Sequence, residues 1–154
     1  MYIMNSEAAV WWREQGITQF TAPWELTKRE LAAVTAGRDM QWICYGRIPL
    51  MVSAQCIFRN IKACLKNSGK AMAKVFAGEK GRRYIVRNCC KYCYNIIYRE
   101  EPFQIPCSME REFWEEVHQV RFEFTTETAE EVHAVLKDEI IRDHCRGHFD
   151  AGIQ

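Results

Sequence analysis

Six of the eight cysteines in this 154-residue chain fall between residues 44 and 98, and four of those six form two groups. Cys56 and Cys64 make the first group, and Cys90 and Cys93, in a C-x-x-C step, make the second. Two cysteine pairs separated by a segment that folds back on itself form a compact metal or cluster clamp. The intervening segment carries that signal. Gly78-Glu79-Lys80-Gly81 stands between apolar runs at residues 72–77 and 83–87, as in a hairpin, and residues 54–67 read as loosely helical. A chain that must join its thiols through a hairpin has few ways to fold, so the other residues are expected to present this clamp.

The same stretch concentrates positive charge. Residues 57–91 carry ten Lys or Arg against the single acid Glu79, whereas residues 100–143 carry thirteen acids against four Lys or Arg. A basic insert over 57–91 is an electrostatic footprint for RNA or another anion, with a solvated hairpin surface as its plain alternative. An apolar share of 48% is that of a globular chain, and no apolar run approaches the roughly 18 residues of a membrane span. The start, MYIMNSEAAVWW, lacks a basic region followed by an apolar core, so the cytoplasm is the expected compartment and no membrane partner is expected. Cytoplasmic cysteines are thiols, available for metal, redox chemistry or packing, and the adjacent Cys89 and Cys90 suit a disulfide framework poorly.

On either side of residues 54–98 the periodicity is that of an α/β chain. A strand over residues 2–5 leads to Ser6 as the cap of a helix that Gly16 stops. A strand over 17–22 follows, then a helix opened by the capping box Thr27/Glu30, then a strand over 40–45 and a loop over 46–49. Later, Ser108 caps a helix over 109–119, residues 120–124 form a strand, and Thr128/Glu131 opens a helix to residue 141. Short β-α-β connections predict parallel strands covered by helices, in one domain over residues 1–154. Glu25, Tyr45, Arg47, the 90–93 turn and Thr125 all follow strands, at the carboxyl-end rim where such sheets carry their active sites. Glu25 is then a candidate acid, base or orienting group, and Arg47 a bidentate partner for carboxylate or phosphate. For both, a surface ion pair or a loop hydrogen bond is the competing role.

Cys56, Cys64, Cys90 and Cys93 are the candidate thiolate ligands, and both zinc and iron–sulfur clusters favour soft sulfur donors. Burial as small apolar side chains is the alternative for any free cysteine, and it is the expected role of Cys44, Cys107 and Cys145. Cys89 is a neighbour or a substitute ligand. No Gly-rich phosphate loop, G-x-S-x-G elbow or H-E-x-x-H helix is present.

The segments FTAPWELTKREL, YGRIPLMVSAQC, KGRRYIV, CKYCYNIIY, VRFEFTTETAEEV and RGHF, in this order, resemble the collagenase-like peptidase family of unknown catalytic type (family U thirty-two). The resemblance spans residues 2 to 152. That family's best-known signature has an acid–x–Phe step, Gly-Ala-Leu-Cys and Ser-Gly-x-Cys. Here the equivalent positions are Gln41 and Ile43, Gly46-Arg47-Ile48-Pro49 and Ala54-Gln55-Cys56, so the chain resembles the divergent branch with a Tyr-Gly-Arg-x-Pro-Leu-Met loop. The resemblance implies a (β/α) barrel with its cysteines near the mouth. An intact barrel needs about 250 residues, so the expectation is a partial barrel-like parallel sheet of four to five strands, a fragment of a larger barrel with the Cys-rich insert at 54–98. Open sheet edges in such a fragment predict a homodimer or strand exchange.

The resemblance also implies a four-iron four-sulfur cluster on the four cysteines, with zinc as the alternative, because relatives with oxygen-independent hydroxylation activity carry such a cluster. His148, in Arg-Gly-His-Phe, matches a family motif and joins Glu25 and Arg47 as a candidate catalytic residue. Three functions follow. The first is oxygen-independent hydroxylation or related modification of RNA or a small aromatic molecule, with the fragment alone inactive. The second is a metal-stapled RNA-binding module without chemistry. The third is a collagenase-like protease, which would need a reactive cysteine with a positioned histidine, a place His148 could fill.

Overall fold

Strand β2, Met40–Gly46, is buried along nearly its whole length, with Trp42, Ile43, Cys44 and Tyr45 all in the core. A strand apolar on both faces is one that neighbours cover on both sides. The computed structural model of the chain describes residues 3–34, 40–61, 64, 73–110, 112, 119–141 and 143–151. Their elements run α1 (Ser6–Glu14), β1 (Phe20–Thr21), α2 (Lys28–Val34), β2, β3 (Pro49–Ser53), α3 (Ile57–Ile61), β4 (Ala73–Ala77), β5 (Arg83–Cys89), β6 (Tyr94–Arg99), β7 (Phe103–Gln104), β8 (Gln119–Glu123) and α4 (Ala129–Leu136). The chain forms two compact units, residues 1–46 with 102–154, and residues 47–101.

In the first unit β2 is the hub. It pairs in parallel with β1 through Phe20↔Met40 and Thr21↔Gln41, and in parallel with β8 from Gln41↔Gln119 to Gly46↔Glu123. The short β7 adds to its carboxyl end in antiparallel fashion, Tyr45↔Gln104 and Gly46↔Phe103. The sheet is therefore mixed, and the described strands do not close into a barrel. Trp24 packs edge-on against Phe103, with ring centroids 4.8 Å apart, and Phe149 is buried.

The second unit is an antiparallel sheet in the order β3-β6-β5-β4. The β4–β5 hairpin carries the register Ala73↔Arg87 to Ala77↔Arg83, closed by the Gly78 N–H to the Arg82 carbonyl at 2.7 Å. Lys80 sits in the left-handed region at the tip, φ 57°. Helix α3 covers one face, its buried Phe58 meeting Phe76 edge-on at 6.3 Å beneath the Lys74 ammonium. At the far edge, β3 leaves Leu50, Met51 and Val52 exposed.

Several boundaries differ from those the sequence suggests. Residues 3–5 form no strand: Ile3 is buried, and Asn5, not Ser6, caps α1, its side chain accepting the Ala8 N–H at 2.8 Å. The strand expected over 17–22 narrows to Phe20–Thr21. Pro49, expected in a loop, opens β3; a proline is tolerated there because β3 is an edge strand and Pro49 its first residue. The last helix stops at Leu136 instead of residue 141, since Asp138 turns left-handed (φ 63°) and accepts the N–H groups of Cys107 and Ser108, each at 2.7 Å. Most of the helix expected over 109–119 lies outside the described residues. No helix among the described residues is long and apolar enough to cross a membrane.

Candidate four-cysteine site

The register of the second sheet explains why cysteines far apart in sequence meet. Asn95 on the inner strand β6 stands opposite Asn88 on β5 and opposite Ser53 on β3. That row closes one end of the sheet: β3 stops at Ser53, and β5 passes through Cys89 into the 90–93 turn. Cys56 therefore leaves the sheet three residues beyond the row, and Cys90 two residues beyond it. Cys56, Cys64, Cys90 and Cys93 all line one pocket of about 450 Å³, together with Asn88 and Arg59.

The C-x-x-C turn is tight. The Cys93 N–H reaches the Cys90 carbonyl at 3.4 Å, the Tyr92 N–H reaches that of Cys89 at 3.0 Å, and Cys93 adopts φ 56°. A side chain with a Cβ in that region costs about 1–3 kcal/mol, and glycine would avoid the cost. The buried Asn88 amide donates to Cys90 Sγ at 2.8 Å. An all-sulfur donor set around one pocket, with a donor already directed at one sulfur, fits a soft metal or an iron–sulfur cluster. Among the described residues, no three His, Cys, Asp or Glu side chains stand grouped as a single bound ion would have them.

The other cysteines are placed differently. Cys89 does not line the pocket; it pairs across the sheet with Tyr94, whose hydroxyl pKa is raised chiefly by its hydrogen bond to Cys89. Cys44 lies in the core of the first unit and donates to the Arg121 carbonyl at 3.4 Å, and burial pushes its thiol up to about 12. Burial also raises the half-buried Cys107, with the Asp138 carboxylate adding to it. Cys145 belongs to a bridge with Phe103.

Arg47 is buried and its guanidinium donates to the Glu100 backbone carbonyl, which ties together the two ends of the 47–101 unit. Glu25 is exposed in the turn after β1. His148 is half-buried beside Phe149, and the Phe149 carbonyl accepts the Lys28 N–H at 2.8 Å, so the Arg-Gly-His-Phe tail docks on the segment that follows Glu25. At the carboxyl ends of β2 and β8, the buried Tyr45 hydroxyl donates to Glu127 Oε1 at 3.3 Å, and Glu127 Oε2 accepts the N–H groups of Thr125 and Thr126.

Among the described basic residues, those of the hairpin tip are separated from the pocket by the length of a strand. Strand β5 runs from Arg83 at the hairpin tip to Cys89 at the cysteine end, about 20 Å at a strand's rise per residue. Lys80, Arg82 and Arg83 thus stand at the far end from the pocket, and Arg83 pairs with Glu100 at 2.9 Å. Arg59 lines the pocket itself. In the sequence Arg59 registers only as charge, and Asn88 and Asn95 carry no signal, since asparagine beside a cysteine run looks like a turn former until the strand register is known.

No protein-family model, no curated protein and no solved structure matches this chain.

Proposed function

We propose that this chain holds an iron–sulfur cluster on Cys56, Cys64, Cys90 and Cys93, as part of a redox enzyme related to the divergent branch of the collagenase-like peptidase family. The observation that carries this reading is the single pocket lined by all four cysteines. The parallel trio β1, β2 and β8 supports the finer reading of the first unit as part of a barrel wall. A bound cluster would supply one-electron redox chemistry. The chain's own residues do the rest: the four sulfurs hold the group, Asn88 donates to Cys90, and Arg59 brings positive charge to the pocket for an anionic substrate or for the charge of the cluster itself. The substrate class in this reading is RNA or a small aromatic molecule, modified without oxygen. The exposed cations Lys80 and Arg82 at the hairpin tip form a second, separate contact surface for RNA phosphates.

Anaerobic purification with iron, zinc and sulfide analysis tests the proposal, read beside the visible absorption. About four irons and four sulfides per chain are expected, with serine at both Cys90 and Cys93 abolishing them. One zinc without sulfide would replace the redox reading by a metal-stapled module. Neither metal, or an unchanged spectrum in the double serine variant, would remove the site.

A further inference from the structure

Two asparagines lie where a sheet interior ordinarily carries apolar side chains. Asn88 is 2% exposed and Asn95 fully buried, and they face one another directly across β5 and β6. Asparagine is depleted in strands, and a buried amide is unfavourable unless hydrogen-bonded. Each of these amides directs its donor at one half of the cysteine site. Asn88 Nδ2 reaches Cys90 Sγ at 2.8 Å, and Asn95 Nδ2 reaches the carbonyl of Gln55, the residue before Cys56, at 2.7 Å. The Ser53 hydroxyl, next in the same row, also bonds the Gln55 backbone, at 3.3 Å. Asn95 Oδ1 has no hydrogen-bond partner among the described residues, so its amide is kept for what it donates.

We propose that the cross-strand pair Asn88–Asn95 consists of positioning residues that set the spacing between the two cysteine groups, and that Asn88 also tunes the redox potential of the group they hold. This rests on the reading of the pocket as a cluster site. The geometry gives the two asparagines different duties. Asn95 anchors the loop that delivers Cys56 and touches no sulfur, so its loss loosens the site without changing the electronics. Asn88 donates to a ligand sulfur, and such a bond stabilises the more negative, reduced state of a thiolate-bound cluster. Its loss therefore moves the potential.

The test uses the full chain, purified anaerobically, with the midpoint potential and the rate of iron loss to a chelator as readouts. Asn88→Ala shifts the potential to a more negative value, and Asn88→Ser, which keeps a hydroxyl donor, shifts it less. Asn95→Ala leaves the potential in place and speeds iron loss about tenfold, the lower end of the affinity loss that follows removal of an outer partner. Val86→Ala, a cavity at a buried position on the same strand, is the control for loosened packing and changes neither readout comparably. A loaded wild type whose potential ignores both Asn88 variants, or an Asn95 variant that holds iron as long as wild type, overturns this inference alone. So does a Val86→Ala effect equal to those of the asparagine variants. A wild type without iron and sulfide overturns the cluster reading and this inference with it.

Discussion

Gly46 ends β2 where three segments crowd together. A Cβ built there would come within 2.8 Å of the Trp24 ring and 3.0 Å of the Glu123 Cβ, and both of those atoms belong to packed side chains. Gly46→Ala is expected to destabilise the protein by about 1–3 kcal/mol, the range for overpacking a well-filled site, measured by urea unfolding. The residue that the sequence presents as part of a loop is thus a packing requirement. The four ligand candidates were legible at this scale, because donor type and the C-x-x-C spacing are local properties. The residues that hold them were not. Asn88 and Asn95 acquire meaning only when strand register sets them face to face and next to Cys90 and Gln55.

At the scale of elements, the capping boxes at Thr27 and Thr128 and the left-handed stop at Gly16 were readable, whereas the Asn5 cap of α1 and the end of the last helix were not. Thr128 and Glu131 form the capping box, with the Glu131 N–H donating to the Thr128 hydroxyl at 3.3 Å and the Thr128 N–H to the Glu131 carboxylate at 2.7 Å. Thr27 and Glu30 repeat the arrangement at α2, where the Thr27 backbone and hydroxyl bonds hold the Glu30 carboxyl below its ordinary range. Thr128→Ala should lower stability by about 1 kcal/mol, near the low end because the freed N–H is exposed to water, with thermal unfolding as the check. The end of α4 is decided from outside the helix. Asp138 gives its carboxylate to the 107–108 backbone, and the Gln104 side chain binds the backbone of Glu139 and Ile141, each at 2.8 Å. Those partners lie some thirty residues away in sequence, so no local pattern announces them.

Across the first unit, an ion network joins segments distant in the chain. Lys28 and Arg146 both reach Glu110, at 2.9 and 2.5 Å, and Arg146 also holds Asp150 at 2.6 Å. The Lys28 hydrogen bond leads in holding the Glu110 carboxyl below its ordinary range, and the Arg146 hydrogen bond does the same for Asp150. Both carboxyls titrate lower folded than unfolded, so their contribution is present at neutral pH and disappears as pH falls through the folded values. Stability should therefore decline below about pH 5. Glu110→Gln should flatten that decline in a series of thermal melts, and an unchanged slope would show that the network is too solvated to matter.

By itself the sequence determined the α/β character, the helix starts at Thr27 and Thr128, the hairpin at residues 78–81 and which cysteines are candidate ligands. These depend on periodicity, caps and turn chemistry acting over a few residues. Tertiary structure decided that β2 is flanked by parallel and antiparallel partners together, that the hairpin tip's cations lie at the far end of the sheet from the cysteines, and that one row of the antiparallel sheet, Ser53–Asn95–Asn88, brings both cysteine groups to a common pocket. Register is a long-range property. A shift of one residue would turn every side chain of a strand to the other face, and only the summed packing of the sheet selects among the possibilities.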